Sequence, residues 1–237
     1  MSTVADLEAV IFDWGGTLTP WHTVDAVQIW GEVALVVAPD RAAELARVLH
    51  EAEEVVWDRA RVDGMSGRLD EVFAASGVEV SEAALARYTE LWDPHTHLDP
   101  DGAELLQGLR ERGLRIGVLS NTLWTRAAHE AVFARDGVLD LIDGAVYTSE
   151  IPWTKPHPEA FRAALDAVDV TEPERAVFVG DRLYDDIHGA QSVGMRTVYV
   201  PHSTIPERQR GSAEGTPDAV VQRLADVLDV VDGWRAA

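Results

Sequence analysis

Short apolar runs alternate with amphipathic stretches along most of this chain, and one long block near the N-terminus departs from that rhythm. Glu8-Ala-Val-Ile-Phe-Asp13 is apolar between two carboxylates and runs into Trp14-Gly15-Gly16-Thr17, which predicts a buried strand entering a tight loop. From about Thr23 to Asp93 the apolar positions recur at helical spacing: Leu45, Val48, Leu49, Ala52, Val55 and Val56, then Ala84, Leu85, Tyr88, Leu91 and Trp92. That spacing predicts an all-helical block of roughly four helices, with Asp40, Ser66 and Ser81 at N-cap positions. Within it, Val24 to Ala38 reads as a buried helix, too short and, with Glu32, too polar to cross a membrane.

Past a loop from Pro94 to Pro100 the pattern changes. Helices over about 101–112, 123–135, 158–168 and 183–192 alternate with strands Leu114 to Ser120, Ala145 to Thr148, Ala176 to Val179 and Thr197 to Val200. His202 to Pro217 reads as a loop, and Asp218 to Val231 as a segment that closes the fold. Strands and helices alternating through short turns imply βαβ units and a parallel sheet covered on both faces. The expected fold class is therefore α/β: a Rossmann-like parallel-sheet core over 1–19 and 96–237, with a helical insert over 20–95.

Composition narrows the chemistry. The 237 residues are 46% hydrophobic and 26% charged, as in ordinary globular proteins. The absence of cysteine excludes a disulfide framework, a thiolate zinc site, an iron–sulfur cluster and a cysteine nucleophile. A net charge of −21, spread evenly and without a basic stripe, argues against nucleic acid as a partner. No apolar run is long enough to span a membrane, and the first basic residue is Arg41, so no secretory leader is expected and the cytoplasm is the expected location. Only one of the twenty basic residues is lysine, Lys155, which singles it out.

In a parallel sheet, ligands bind beyond the carboxyl ends of the strands. Asp13 follows the first strand, Ser120 and Asn121 end the second, Ser149 and Glu150 follow the third with Lys155 shortly after, and Asp181 follows the fourth with Asp185 and Asp186 one turn on. Carboxylates gathered at one edge repel one another, so the cluster calls for a hard cation such as Mg²⁺ or for protonation of a member. With a cation bound, the edge suits a phosphoryl group, whose charge Mg²⁺, Lys155 and the Ser120 hydroxyl could share. Asp13 is then a plausible nucleophile, forming an aspartyl-phosphate that water hydrolyses.

At this point the chain resembles the haloacid dehalogenase-like hydrolases over nearly its whole length. Phe12-Asp13-Trp14-Gly15-Gly16-Thr17-Leu18, Leu119-Ser120-Asn121, Lys155-Pro156-His157-Pro158-Glu159 and Val179-Gly180-Asp181-Arg182-Leu183-Tyr184-Asp185-Asp186 are similar to that family's four motifs and stand in its order. The helical insert lies where the family carries a helical cap. The resemblance implies a nucleophilic Asp13, a phosphoryl group held by Ser120 and Lys155, substrate contacts from Gly16, Thr17 and Asn121, and Mg²⁺ bound by Asp13, Asp181 and the Gly15 carbonyl. Asp186 would orient the ion's waters, with Asp185 as its neighbour. The implied activity is a Mg²⁺-dependent phosphatase acting on a small phosphorylated metabolite.

One position departs from the family's pattern. Its phosphatases usually carry a second aspartate two residues after the nucleophile as general acid and base, and here that position is Gly15. The leaving group would then need little protonation, or the proton would come from the substrate or a neighbour such as His22. Gly15 also motivates an alternative, a weakened member that binds a phosphorylated ligand or a protein without turnover. Haloacid dehalogenation is disfavoured by Asp181, and phosphonate cleavage by the absence of lysine from residues 20–99. Asp93-Pro-His95-Thr-His97-Leu-Asp99 has metal-ligand residue types but reads as a hinge or hydrogen-bonding segment. Trp14, Trp21, Trp124 and Trp153 stand near the motifs and could wall an apolar pocket, whereas Trp30, Trp57 and Trp92 read as packing within the helical block.

Overall fold

The computed structural model describes residues 6–201, 212 and 214–236. Its centre is a six-stranded parallel sheet in the order β3-β2-β1-β4-β5-β6. The strands are β1 (Ala9–Phe12), β2 (Arg115–Ser120), β3 (Gly144–Tyr147), β4 (Ala176–Gly180), β5 (Arg196–Tyr199) and β6 (Ala219–Val220). β1 pairs with β2 through Phe12 and Val118 and with β4 through Phe12 and Val179, so three motif-bearing strand ends lie side by side.

The apolar runs form strands because both faces are buried. Val10, Phe12, Val177 and Val179 point into one core, while Ala9, Ile11, Ala176 and Phe178 point into the other, the alternation a pleated strand imposes. The first core is closed by α5 (Gly102–Glu111), α6 (Arg126–Arg135) and α9 (Val227–Arg235), the second by α7 (Pro158–Ala167) and the short α8 (Gly189–Ser192).

Between β1 and β2 the helical block forms as α1 (Ala26–Val37), α2 (Ala42–Asp63), α3 (Leu69–Ala75) and α4 (Glu82–Trp92). It packs around a third core of Trp30, Leu49, Phe73 and Tyr88, which also takes in Leu123 and Trp124 from beyond β2. Among the described residues no helix is long and apolar enough to cross a membrane.

Three local expectations are corrected. The helix over Val24 to Ala38 is not wholly buried: Ile29, Trp30, Val33 and Ala34 face the core, while Val27, Leu35 and Val36 are exposed. Ser81 caps α4, but Asp40 lies inside a 3₁₀ turn, and the Ser66 hydroxyl donates to the Ile151 carbonyl instead of capping a helix. The segment 183–192 is a π-helical turn over Leu183–His188 before α8. The closing segment is a two-residue strand, a 3₁₀ turn and α9. Most of the expected His202 to Pro217 loop lies outside the described residues.

Candidate active site

Asp13 leaves β1 with its N–H on the Val179 carbonyl (2.9 Å), which fixes its main chain against β4. Its side chain is buried, and both oxygens are engaged: Oδ2 accepts from the Thr17 hydroxyl (3.2 Å) and Oδ1 from Lys155 Nζ (2.6 Å). Lys155 also donates to Asp186 Oδ1 (2.7 Å), so one ammonium joins two carboxylates that reach it from different strand ends. Burial disfavours the lysine cation, but Asp13 and Asp186 outweigh it and raise its pKa above the ordinary value. Burial lifts Asp186 to about 6 against the pull of Lys155.

The loop before Lys155 is braced from both sides. Asn121, expected at the substrate, has its amide on the lysine's own main chain: Oδ1 accepts from Lys155 N–H (2.8 Å), and Nδ2 donates to the Lys155 carbonyl (3.1 Å). From the helical block, Ser66 N–H donates to the Pro152 carbonyl (3.0 Å), while Thr154 N–H donates to the Gly64 carbonyl (3.0 Å). Leu69 N–H reaches the Leu123 carbonyl (2.9 Å) just past Ser120 and Asn121. The α2–α3 loop therefore seats on the two core loops that carry Ser120 and Lys155.

Asp181 enters the cluster through Gly16. Gly16 has φ +98°, and a Cβ there would overlap the Asp181 carboxylate, so only glycine lets the two loops meet. One carboxylate oxygen from each of Asp13, Asp181 and Asp186 lies within 4.8 Å of the others, and all three residues are buried. Ser120 is buried at the end of β2. Asp185 is not in that cluster; it pairs with Arg182 (3.3 Å).

Arg182, which directly follows Asp181, is a partly buried cation to which the sequence alone gave no role. Its guanidinium lies over the Trp21 ring (5.3 Å). Burial works against its charge, but Asp185, Asp181, Asp13 and Asp186 raise its pKa, making it, like Lys155, a cation held by this group of carboxylates. Trp14 meets Trp124 (5.7 Å) and the edge of His129 (4.5 Å), while Trp153 stacks on His157 (4.1 Å). The four tryptophans thus divide between separate packing sites. His22 is exposed and its Nδ1 lies 3.1 Å from His95 Nδ1, which joins the two segments connecting the helical block to the sheet.

The model of the haloacid dehalogenase-like hydrolase family matches residues 7–194. The chain is 32% identical over 149 residues to a glyceraldehyde 3-phosphate phosphatase of Methanopyrus kandleri, covering 63% of each protein. It is 30% identical over 191 residues to a phosphoserine phosphatase of Thermus thermophilus, covering 76% of this chain and 74% of that one. The matched region thus takes in less than two thirds of the first relative's length. The fold is similar to that of the crystal structure of a HAD phosphatase from Thermococcus onnurineus, with a TM-score of 0.67 at 24% identity over 97% of this chain and 100% of the other.

Proposed function

The chain belongs to the haloacid dehalogenase-like hydrolases, and from that footing we propose that it is a Mg²⁺-dependent phosphatase of small phosphorylated metabolites working in the cytoplasm. The observation that carries the reading is the Lys155 ammonium held 2.6 Å from Asp13 and 2.7 Å from Asp186 beside buried Asp181. A pure structural ion pair would need one carboxylate, not three.

The residues fit the metal. Four carboxylates, Asp13, Asp181, Asp185 and Asp186, face two cations, Lys155 and Arg182, and the excess negative charge sits on oxygen donors of the kind a hard divalent ion selects. Asp13, Asp181 and the Gly15 carbonyl would hold Mg²⁺, with Asp186 directing its waters. When bound, the ion supplies positive charge to the phosphoryl oxygens in the transition state.

The chain's own groups do the rest. Asp13 attacks phosphorus through a carboxylate oxygen, while Thr17 and Lys155 hold the side chain in place. Lys155 and Ser120 neutralise and orient the phosphoryl oxygens. Water then cleaves the aspartyl-phosphate and regenerates Asp13. The helices between residues 20 and 95 act as a cap whose α2–α3 loop closes over the Lys155 loop and excludes bulk water. Hydrolysis of an aryl phosphate with and without Mg²⁺, beside Asp13→Asn, tests the reading. Metal-dependent turnover that vanishes in Asp13→Asn supports it; ligand-induced stabilisation without turnover would replace it with a binding role.

A further inference from the structure

Resting on the phosphatase reading above, we infer that the leaving group departs from this site as an unprotonated oxyanion, so that the substrates are phosphoryl anhydrides, acyl phosphates foremost, rather than alkyl phosphate monoesters.

The first observation is the empty place of an acid. Among the described residues a Cβ on Gly15 would meet nothing within 4 Å, so none of their side chains has moved in where a proton donor two residues beyond Asp13 would stand. Among the described residues, the nearby polar side chains have other partners. Lys155 is held between two carboxylates, Thr17 donates to Asp13, and Asp186 has both oxygens taken, Oδ1 by Lys155 and Oδ2 by the Arg182 N–H. His22 is exposed with its Nδ1 on His95 Nδ1, His157 caps α7 against Trp153, and His188 stacks on Tyr184. His129, the histidine against Trp14, is fully buried, and its pKa is depressed to about 3 by that burial, so it carries no proton to give near neutrality.

A positioned acid is worth roughly 10² to 10⁴ in rate, and the benefit is largest for a leaving group that must be protonated to depart. An alkoxide is such a group. A carboxylate, whose conjugate acid has a pKa of about 4, is not.

The second observation is a partly buried cation whose charge is felt at Asp13. Arg182 holds its guanidinium over Trp21 and interacts electrostatically with Asp185, Asp181, Asp13 and Asp186. A permanent positive charge in that neighbourhood stabilises an anion leaving from phosphorus, whereas a departing neutral alcohol gains little from it.

The chemistry balances without a proton in the first step. An Asp13 oxygen forms a bond to phosphorus as the bond from phosphorus to the acyl oxygen breaks, its electron pair staying on the carboxylate. The aspartyl-phosphate is itself an acyl phosphate, so this exchange is close to thermoneutral. Water then adds through oxygen to phosphorus, the pair of the broken bond returns to Asp13, and the water proton passes to phosphate or solvent. The products are a carboxylate and inorganic phosphate.

The test is kcat/KM of the Mg²⁺-loaded enzyme on acetyl phosphate, aryl phosphates of graded leaving-group pKa, and glycerol phosphate, with Asp13→Asn as background and Gly15→Asp as the restored acid. The expected result is a steep fall with leaving-group pKa, with glycerol phosphate at least about 10³-fold below acetyl phosphate and raised about 10²-fold in Gly15→Asp, flattening the series. A shallow series, with glycerol phosphate within tenfold of acetyl phosphate, overturns the inference and leaves the phosphatase reading standing, as does a folded Gly15→Asp with an unchanged series. Absence of Asp13-dependent turnover on every substrate overturns both. Should Gly15→Asp not fold, the wild-type series decides alone.

Discussion

Asp186 occupies the space that a side chain on Gly180 would need: a Cβ there would overlap the aspartate's Cβ, Cγ and Oδ2. That intimacy lets Asp186 sit fully buried under the end of β4, with Oδ2 on the Arg182 N–H (2.9 Å) and Oδ1 on Lys155. Overpacking a site with no free volume costs about 1–3 kcal/mol. Gly180→Ala should therefore lower the melting temperature by several degrees and, by pushing Asp186 off Lys155, reduce kcat/KM on an aryl phosphate by about 10². Unchanged kinetics in a destabilised variant would show that Asp186 does not need this placement.

Lys155 is the counter-charge for Asp13 and Asp186 in a buried setting. Its removal leaves two carboxylates unneutralised, a change that costs about 3–5 kcal/mol for a broken buried pair. Lys155→Met should lose activity and show its largest stability deficit near pH 8. A carboxyl whose folded pKa is raised, as that of Asp186 already is to about 6, is stabilising when protonated, and that contribution fades as pH climbs through the folded value. The deficit should therefore shrink as pH is lowered towards 5, and added Mg²⁺ should shrink it at pH 8. A deficit independent of both pH and Mg²⁺ would mean that the loss is one of packing.

Much of this arrangement is legible in the sequence because it is local or periodic. Ala-Val-Ile-Phe ahead of Asp13 is apolar at every position, and its shortness and the Gly-Gly turn after it mark it as a strand buried on both faces. Ser81 is recognisable as a cap because its partner, Ala84 N–H, is three residues away. Ser66 has the same residue type and a similar setting, yet its hydroxyl goes to Ile151, 85 residues on; no local rule carries that information. Arg182 on Trp21 and His22 on His95 were hidden for the same reason. The π-helical turn over Leu183–His188 replaces an expected α-helix where the N–H groups of Asp186 and Ile187 both turn back to the Arg182 carbonyl. Asn121 was legible as a site residue but not as a brace, since its partner is the main chain of Lys155, where residue type gives no signal.

His129 should set part of the acid sensitivity of the fold. It is fully buried between Trp14 and Tyr147, with Nε2 2.9 Å from the Thr122 hydroxyl. Burial first, and Arg126 second, hold its pKa at about 3 against an ordinary 6.5. The unfolded chain therefore takes up a proton that the folded one refuses, and stability present above pH 6.5 is lost as pH falls towards 3. At about 1.4 kcal/mol per unit, this single group removes roughly 2 kcal/mol by pH 5. His129→Gln should be less stable at pH 7, having lost the stacked ring, yet lose less on acidification. Urea unfolding at pH 7 and pH 5 measures both; equal slopes in the two proteins would exclude His129 as the source.

Glu53 runs the opposite way, and in the helical block. Its carboxylate is buried in the third core and takes the Trp30 indole N–H (2.8 Å), with His50 Nδ1 4.0 Å away. Burial raises its pKa, and the hydrogen bond from Trp30 and the charge of His50 only partly restrain the rise. A folded pKa above the unfolded one means that the group favours folding while protonated, and that this contribution disappears as pH rises through the folded value. Glu53→Gln keeps an oxygen for Trp30 and never ionises. It should raise the melting temperature at pH 8, with a gain that diminishes as pH is lowered through the acid range. A thermal melt series from pH 4.5 to pH 8 reads the difference directly, and a gain independent of pH would assign it to packing rather than to the buried charge.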